Sequence, residues 1–256
     1  MIVKRIFRQC VTWQNELKTV LKLEAQDVDF KDRINMTLYD YQIKDDHLVI
    51  IYARAPSDLF GFYQNLRTQD ANADVSKILS WHMFSIVKML VYLHSMNMSH
   101  NDIKPENVVC KDVDGKQLAF IDFGECTEND PTCKFHVNKH EKKHMFDDSL
   151  VGTPMYCHPA IARKEPYNLF AHDLWSVGMS AMTLMMNLSF PGKKWQNNFL
   201  DGSWSSMKFF TEQEQKNPHW ASFVQFANKM FQAPLQDRPL ANKLLLQDVF
   251  LNIWKE

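Results

Sequence analysis

Glycine is scarce in this chain: average usage of about 7% would give roughly 18, whereas the 256 residues hold 7, the first of them Gly61. Sixty residues without glycine exclude a glycine-rich phosphate loop in that stretch. No run of 18 apolar residues occurs, so no membrane span is expected. The start, Met1 to Phe7, has basic residues but no apolar run long enough for a signal peptide. With 29 basic and 30 acidic residues, no strong field favours nucleic acid or anionic lipid. Disulfide spacing is missing too, since Cys10, Cys110, Cys126, Cys133 and Cys157 are scattered and odd in number. Reduced thiols inside a cell are expected, in the cytoplasm, with the nucleus left open.

What is present is an ordinary globular composition, 45% hydrophobic and 23% charged, in a chain long enough for one large domain or two lobes. The texture changes near residue 55. Before it, Ile2 to Phe7 reads as a strand, and Trp13, Leu17, Val20 and Leu21 recur at helical spacing after Thr12, a capping residue. Ile34 to Ile43 and Leu48 to Ala53 then read as two strands joined by the turn Lys44-Asp45-Asp46-His47. After Ala55-Pro56-Ser57-Asp58 the pattern is helical, led by the almost wholly apolar Ile78 to Leu93. Asn107 to Cys110 and Leu118 to Ile121 read as short strands around an Asp114-Gly115 turn. Residues 125 to 158 are polar and aperiodic, and Leu169 to Leu188, Trp220 to Phe231 and Asn242 to Trp254 read as helices. The Met179, Met182, Met185, Met186 run is core packing.

The first strong chemistry lies in His100-Asn101-Asp102-Ile103-Lys104-Pro105-Glu106-Asn107. A carboxylate, an ammonium and an amide in one loop are what phosphoryl transfer needs: a group to orient the attacking hydroxyl, a cation for developing charge, and an oxygen ligand for Mg²⁺. Fifteen residues after Asn107 comes Asp122-Phe123-Gly124, a second oxygen donor behind an apolar strand. Taken singly, Asp102, Asn107 and Asp122 are also what turns and caps use. Taken together they point to chemistry.

In order and spacing these motifs resemble the eukaryotic protein kinase family. His100 to Asn107 is similar to its catalytic loop and Asp122 to Gly124 to its metal-binding motif. Gly152-Thr153-Pro154-Met155-Tyr156-Cys157-His158-Pro159-Ala160 resembles the end of its activation segment, Asp173-Leu174-Trp175 the helix that braces the catalytic loop, and Asp237-Arg238-Pro239 its late arginine motif. The resemblance covers residues 2 to 254. It implies an α+β, bilobal fold, with residues 1–55 a reduced small lobe lacking the first two strands and residues 56–256 a mainly helical large lobe.

It also implies roles. Lys4 becomes the phosphate-binding lysine, with Glu16 as its ion-pair partner and Glu24 as the rival. Ile50 becomes the gatekeeper, Ile51 to Ala53 the adenine-contacting backbone, and Asp58 a ribose contact. Asp102 orients the hydroxyl, Lys104 steadies the γ-phosphate, and Asn107 and Asp122 hold magnesium. Lys104 and Thr153 match the Ser/Thr-specific pattern, so the implied activity is transfer from Mg-ATP to serine or threonine of a protein substrate.

Two departures stand out. Asn101 replaces an arginine that usually meets a phosphorylated segment, which implies activity independent of such phosphorylation at Thr127, Thr132, Ser149 or Thr153. Ala160 replaces a glutamate that pairs with the late arginine, leaving Arg238 to another partner. With the glycine loop missing, nucleotide binding and turnover should be weak, and the competing reading is a catalytically dead decoy that binds a kinase, its regulator or its substrate. Such trimming resembles pathogen-encoded relatives, which would act in the host cell. Separately, Cys133, His136, His140 and His144 have spacings compatible with zinc, against a solvated basic loop as the plainer reading.

Overall fold

The computed structural model describes residues 1–7, 13–26, 28–29, 32–70, 75–128, 152–153, 155–158, 168–186 and 241. Strand β1 (Ile2–Phe7) leads to helix α1 (Trp13–Glu24) and the hairpin β2 (Leu38–Ile43) and β3 (His47–Tyr52). These strands form an antiparallel sheet in the order β1-β3-β2, with Lys4 opposite Ile50 and Ile2 opposite Tyr52. Because side chains alternate across a strand, Leu48 and Ile50 turn to the same face, where they pack with Leu17 of α1. Ile50, expected as a gatekeeper, is fully buried in that cluster.

The strand expected from Ile34 begins only at Leu38. Its first residues are diverted to another sheet: the Ile34 carbonyl accepts from the Phe120 amide at 2.7 Å, and Asn35 bridges Phe120 in parallel. Glu24 fixes the diversion, accepting from the Asn35 side chain at 2.9 Å and the Leu38 amide at 3.1 Å and pairing with Arg33.

Next come β4 (Ser57–Asp58), α2 (Leu59–Gln69), α3 (Ser76–Ser95), β5 (Met98–Ser99), β6 (Val108–Cys110), β7 (Leu118–Phe120), β8 (Thr127–Glu128) and α4 (Leu169–Met186). One small sheet has the order β4-β6-β7, and β5 pairs with β8. Asn107 does not open β6 as expected; it ends a 3-10 turn over Pro105–Asn107, started by a proline that has no amide to lose there. Helix α3 is the spine of the large core, with Leu79, Met83, Ile86, Val87, Leu90 and Leu93 inaccessible. Val20, Leu23 and Ile34 belong to that same cluster, so the core runs through α1 into the first part of the chain. Residues 129–151 of the polar stretch, among them the zinc candidates Cys133, His136, His140 and His144, together with Ala160, Arg238 and the helices expected at 220–231 and 242–254, lie outside the described residues.

A buried polar strut joins α2, α3 and the β6–β7 turn. The Tyr63 hydroxyl donates to His82 Nδ1 at 3.0 Å, and His82 Nε2 donates to the Gly115 carbonyl at 2.8 Å. Gly115 has φ +69°, and a Cβ there would lie 2.7 Å from the Phe62 ring, so only glycine fits this turn. Burial pushes the His82 imidazole from 6.5 down to about 4, against the bond to Gly115 and the charge of Asp112. The unfolded chain therefore takes up a proton that the folded chain refuses between those values, and stability falls as pH drops through that window. Chemical denaturation at pH 7 and pH 5 should differ by about 2 kcal/mol from this group. A His82→Gln variant should lose that part of the difference, and an unchanged difference would contradict the assignment.

Candidate active site

The catalytic-loop candidates lie between β5 and β6, and their positions are set from below by α4. Asp173 of α4 is fully buried and accepts from the His100 amide at 2.9 Å, the Asn101 amide at 2.8 Å and His94 Nε2 at 2.9 Å. Burial opposes its charge, but His94 and the neighbouring histidines outweigh it and hold the carboxyl below its ordinary range. Anchoring both amides lets Asn101 turn into left-handed backbone, φ 66°, which asparagine tolerates better than most residues. Its side chain then donates to the Glu125 carbonyl at 2.8 Å and Thr127 Oγ1 at 3.1 Å, tying the loop to the segment after Asp122.

Asp102 follows directly, and its carboxylate accepts four donors. Thr153 gives its amide at 2.8 Å and hydroxyl at 2.7 Å to Oδ1; Lys104 Nζ at 2.9 Å and Asn107 Nδ2 at 2.8 Å serve Oδ2. Lys104 also donates to Thr153 Oγ1 at 2.7 Å. Burial works against the ionised form, yet the Lys104 and Thr153 bonds prevail and the Asp102 carboxyl is held below its ordinary value. Gly152 makes the approach of Thr153 feasible: it has φ +82°, and a Cβ there would collide with the Asn101 carbonyl.

The second cluster joins the small sheet to the segment after β7. Lys4 Nζ lies 2.6 Å from Asp122 Oδ1 and 3.2 Å from Glu16 Oε1. Glu24, the rival partner, is occupied with Arg33, Asn35 and Leu38. Burial opposes the Lys4 charge, but Glu16 and Asp122 more than offset it and raise its pKa. The Glu16 carboxyl, 1% exposed, is raised chiefly by its burial, with Lys4 opposing. Asp122 has φ 63°, an uncommon backbone for a residue with a side chain and of the kind concentrated at functional sites.

Asp58 caps α2, its Oδ1 accepting from the Gly61 amide at 2.7 Å. Ile51 lies in the central strand, paired with Val3 on one side and Asp40 on the other. The Ala53 amide donates to the Thr37 carbonyl at 2.9 Å. Within the backbone expected to contact adenine, Ile51 to Ala53, that amide is thus engaged by Thr37 and the Ala53 carbonyl is the group left to consider. Pattern reasoning missed three contributors. His94 props Asp173, and Tyr52 donates to Glu16 at 3.0 Å. The third is Glu125, whose carboxyl burial pushes up to about 7 with help from Asp102 and Asp122. Only Glu125, beside the Asp122-Phe123-Gly124 motif, carried a sequence signal.

For a hard cation the relevant donors are oxygens. Both amide hydrogens of Asn107 go to Asp102, so its Oδ1 remains for a cation, and Asp122 is a half-exposed carboxylate. This pair fits magnesium, which keeps most of its shell as water and phosphate oxygen.

Comparison with known proteins agrees with this geometry: the protein kinase domain family matches residues 8–250. The chain belongs to the protein kinase family. Among curated relatives of this kinase domain, myosin light chain kinase family member 4 of Mus musculus is 29% identical over 175 residues, 67% of this chain and 40% of the relative. The probable serine/threonine-protein kinase nek1 of Dictyostelium discoideum is 30% identical over 189 residues, 71% of this chain and 38% of the relative. Death-associated protein kinase 2 of Mus musculus is 29% identical over 160 residues, 60% of this chain and 38% of the relative. The kinase domain thus spans about two fifths of the length of these relatives.

Proposed function

We propose that this chain is a serine/threonine protein kinase that uses Mg-ATP. The observation that carries the reading is Asp102, a nearly buried carboxylate kept ionised by Lys104 and Thr153 and aimed by four donors. A group so fixed orients an acceptor hydroxyl and takes its proton as the phosphorus–oxygen bond to it forms. Lys104 is then next to the transferred group and neutralises charge there. Lys4 leaves Asp122 for the phosphates and stays aligned by Glu16. Asn107 and Asp122 would hold magnesium, which supplies charge neutralisation at the phosphate oxygens. Nucleotide contacts are assigned to Ile51, Ala53 through its carbonyl, and Asp58.

The Lys4–Asp122 contact at 2.6 Å, which engages a phosphate-binding candidate and a magnesium-binding candidate with each other, favours the second reading, a kinase-like decoy that binds a kinase, its regulator or its substrate without turnover. The reading assigns protein substrates rather than nucleic acid or membrane, and an intracellular, cytoplasmic location. No described helix is long and apolar enough to cross a membrane. Thermal unfolding tests nucleotide use: millimolar ATP with magnesium should raise the midpoint by a few degrees, and ATP with EDTA should do so less. Equal midpoints with and without Mg-ATP would favour the decoy.

A further inference from the structure

The Lys4–Glu16 pair has a third member on the adjoining strand. Tyr52 is the last residue of β3, opposite Ile2 and Leu38, on the face that Leu48 and Ile50 turn toward α1. Its hydroxyl donates to Glu16 Oε1, the same oxygen that faces Lys4. Glu16 Oε2 is buried without a hydrogen-bond partner. Among the described residues the satisfaction of this carboxylate therefore rests on two groups, and one of them, Lys4, is shared with Asp122 at a shorter distance.

The ring of Tyr52 occupies a junction. It packs on the Leu17–Leu48–Ile50 cluster, on the large core, and on the cluster of Met36, Val109 and Ala119. Burial and the Glu16 charge push its phenol far above the ordinary range, so the hydroxyl remains a donor at every physiological pH. A rigid ring fixed by three clusters presents that donor to Glu16 without the freedom of a long side chain.

We propose that Tyr52 is a positioning residue: its hydroxyl holds Glu16 turned toward Lys4, so that Lys4 can exchange Asp122 for a phosphate without leaving a buried carboxylate unsatisfied. The role rests on the kinase reading above, because it concerns how Lys4 meets phosphate. It also links the Lys4–Glu16 alignment to the packing between the small sheet and the large core.

Tyr52→Phe keeps the ring and removes the donor. The test compares the parent chain, Tyr52→Phe, Glu16→Met and the double variant in urea unfolding and in transfer of radiolabelled phosphate from Mg-ATP to dephosphorylated casein. In unfolding, Tyr52→Phe should matter in the parent background and cost nothing in the Glu16→Met background, where no side-chain oxygen is left to accept. In transfer, Tyr52→Phe should lower kcat/KM for ATP by about tenfold, the size expected for a hydrogen bond to a charged group. Its acid limb should move to higher pH, because a donor favouring ionised Glu16 is gone. An active parent with additive unfolding effects, or with parental kcat/KM and acid limb in Tyr52→Phe, overturns the proposal. A parent that transfers no phosphate overturns the kinase reading and the positioning role with it, and unfolding coupling then attests a structural contact alone.

Discussion

Replacing Asp102 with asparagine is expected to lower phosphoryl transfer by about a thousandfold or more while the chain stays folded, the loss typical of removing a positioned proton acceptor and its charge. The amide has nearly the same shape, but its nitrogen cannot accept. Turned toward Oδ1 it would face the Thr153 amide and hydroxyl; turned toward Oδ2 it would face Lys104 and Asn107. Either orientation sets donor against donor. The stability penalty should be about 1–3 kcal/mol, the range for a mispaired buried polar group. Circular dichroism and thermal unfolding separate this from collapse, and an Asp102→Asn protein with parental turnover would remove Asp102 from the chemistry.

The second large effect is structural. Asp173→Ala should destabilise the chain by about 3–5 kcal/mol, the usual outcome when one partner of a buried charged network is removed. The alanine leaves the His100 and Asn101 amides and His94 Nε2 without the acceptor that now serves all three. Set against a total of roughly 5–15 kcal/mol for a folded domain, this is a large fraction, and the melting midpoint should fall by about 10 °C. Transfer should fall as well, because the left-handed turn at Asn101 that presents Asp102 loses its anchor. Asp173→Asn, which keeps acceptor capacity at one oxygen, should lie between alanine and the parent. An alanine variant melting within 2 °C of the parent would show that the loop is held by other means.

The site was legible where local chain and chemistry coincide. His100 to Asn107 and Asp122 to Gly124 are short segments whose spacing alone brings carboxylate, ammonium and amide together, and in the fold Asp102, Lys104 and Asn107 are within hydrogen-bond reach of one another. Helices α1 and α3 were also readable, since their apolar spacing matches the face they bury, and β1 was readable from its β-branched composition although Ile2, Val3 and Phe7 are exposed in the fold. Less legible was whatever depends on distant pairing. Ile34 to Met36 have the composition of a strand, but the Phe120 amide and the Glu24 carboxylate draw them away from the small sheet. Ala53 sits at the expected end of a strand, yet its amide is taken by Thr37. Tyr52 and His94 carry no motif; their importance comes from where a hydroxyl and an imidazole end after folding, 3.0 Å from Glu16 and 2.9 Å from Asp173.

Asn101 illustrates the limit of reading by resemblance. The sequence implies only that an arginine's usual partner is not needed. The fold adds what asparagine does instead, donating to Glu125 and Thr127 across the segment that follows Asp122. Glu128 in that segment also meets Lys18 and Lys22 of α1 at 3.4 and 3.0 Å, though exposed pairs of this kind contribute little.

The central claim is that the groups around Asp102 transfer phosphate to a protein hydroxyl. The most direct measurement incubates the purified chain and its Asp102→Asn variant with γ-labelled ATP, magnesium and a serine- and threonine-containing protein, followed by phosphoamino-acid analysis. Label on serine or threonine with the parent, lost with EDTA and lost with the variant, is the predicted result. No label from a parent that binds Mg-ATP, or equal label from the two proteins, would contradict it.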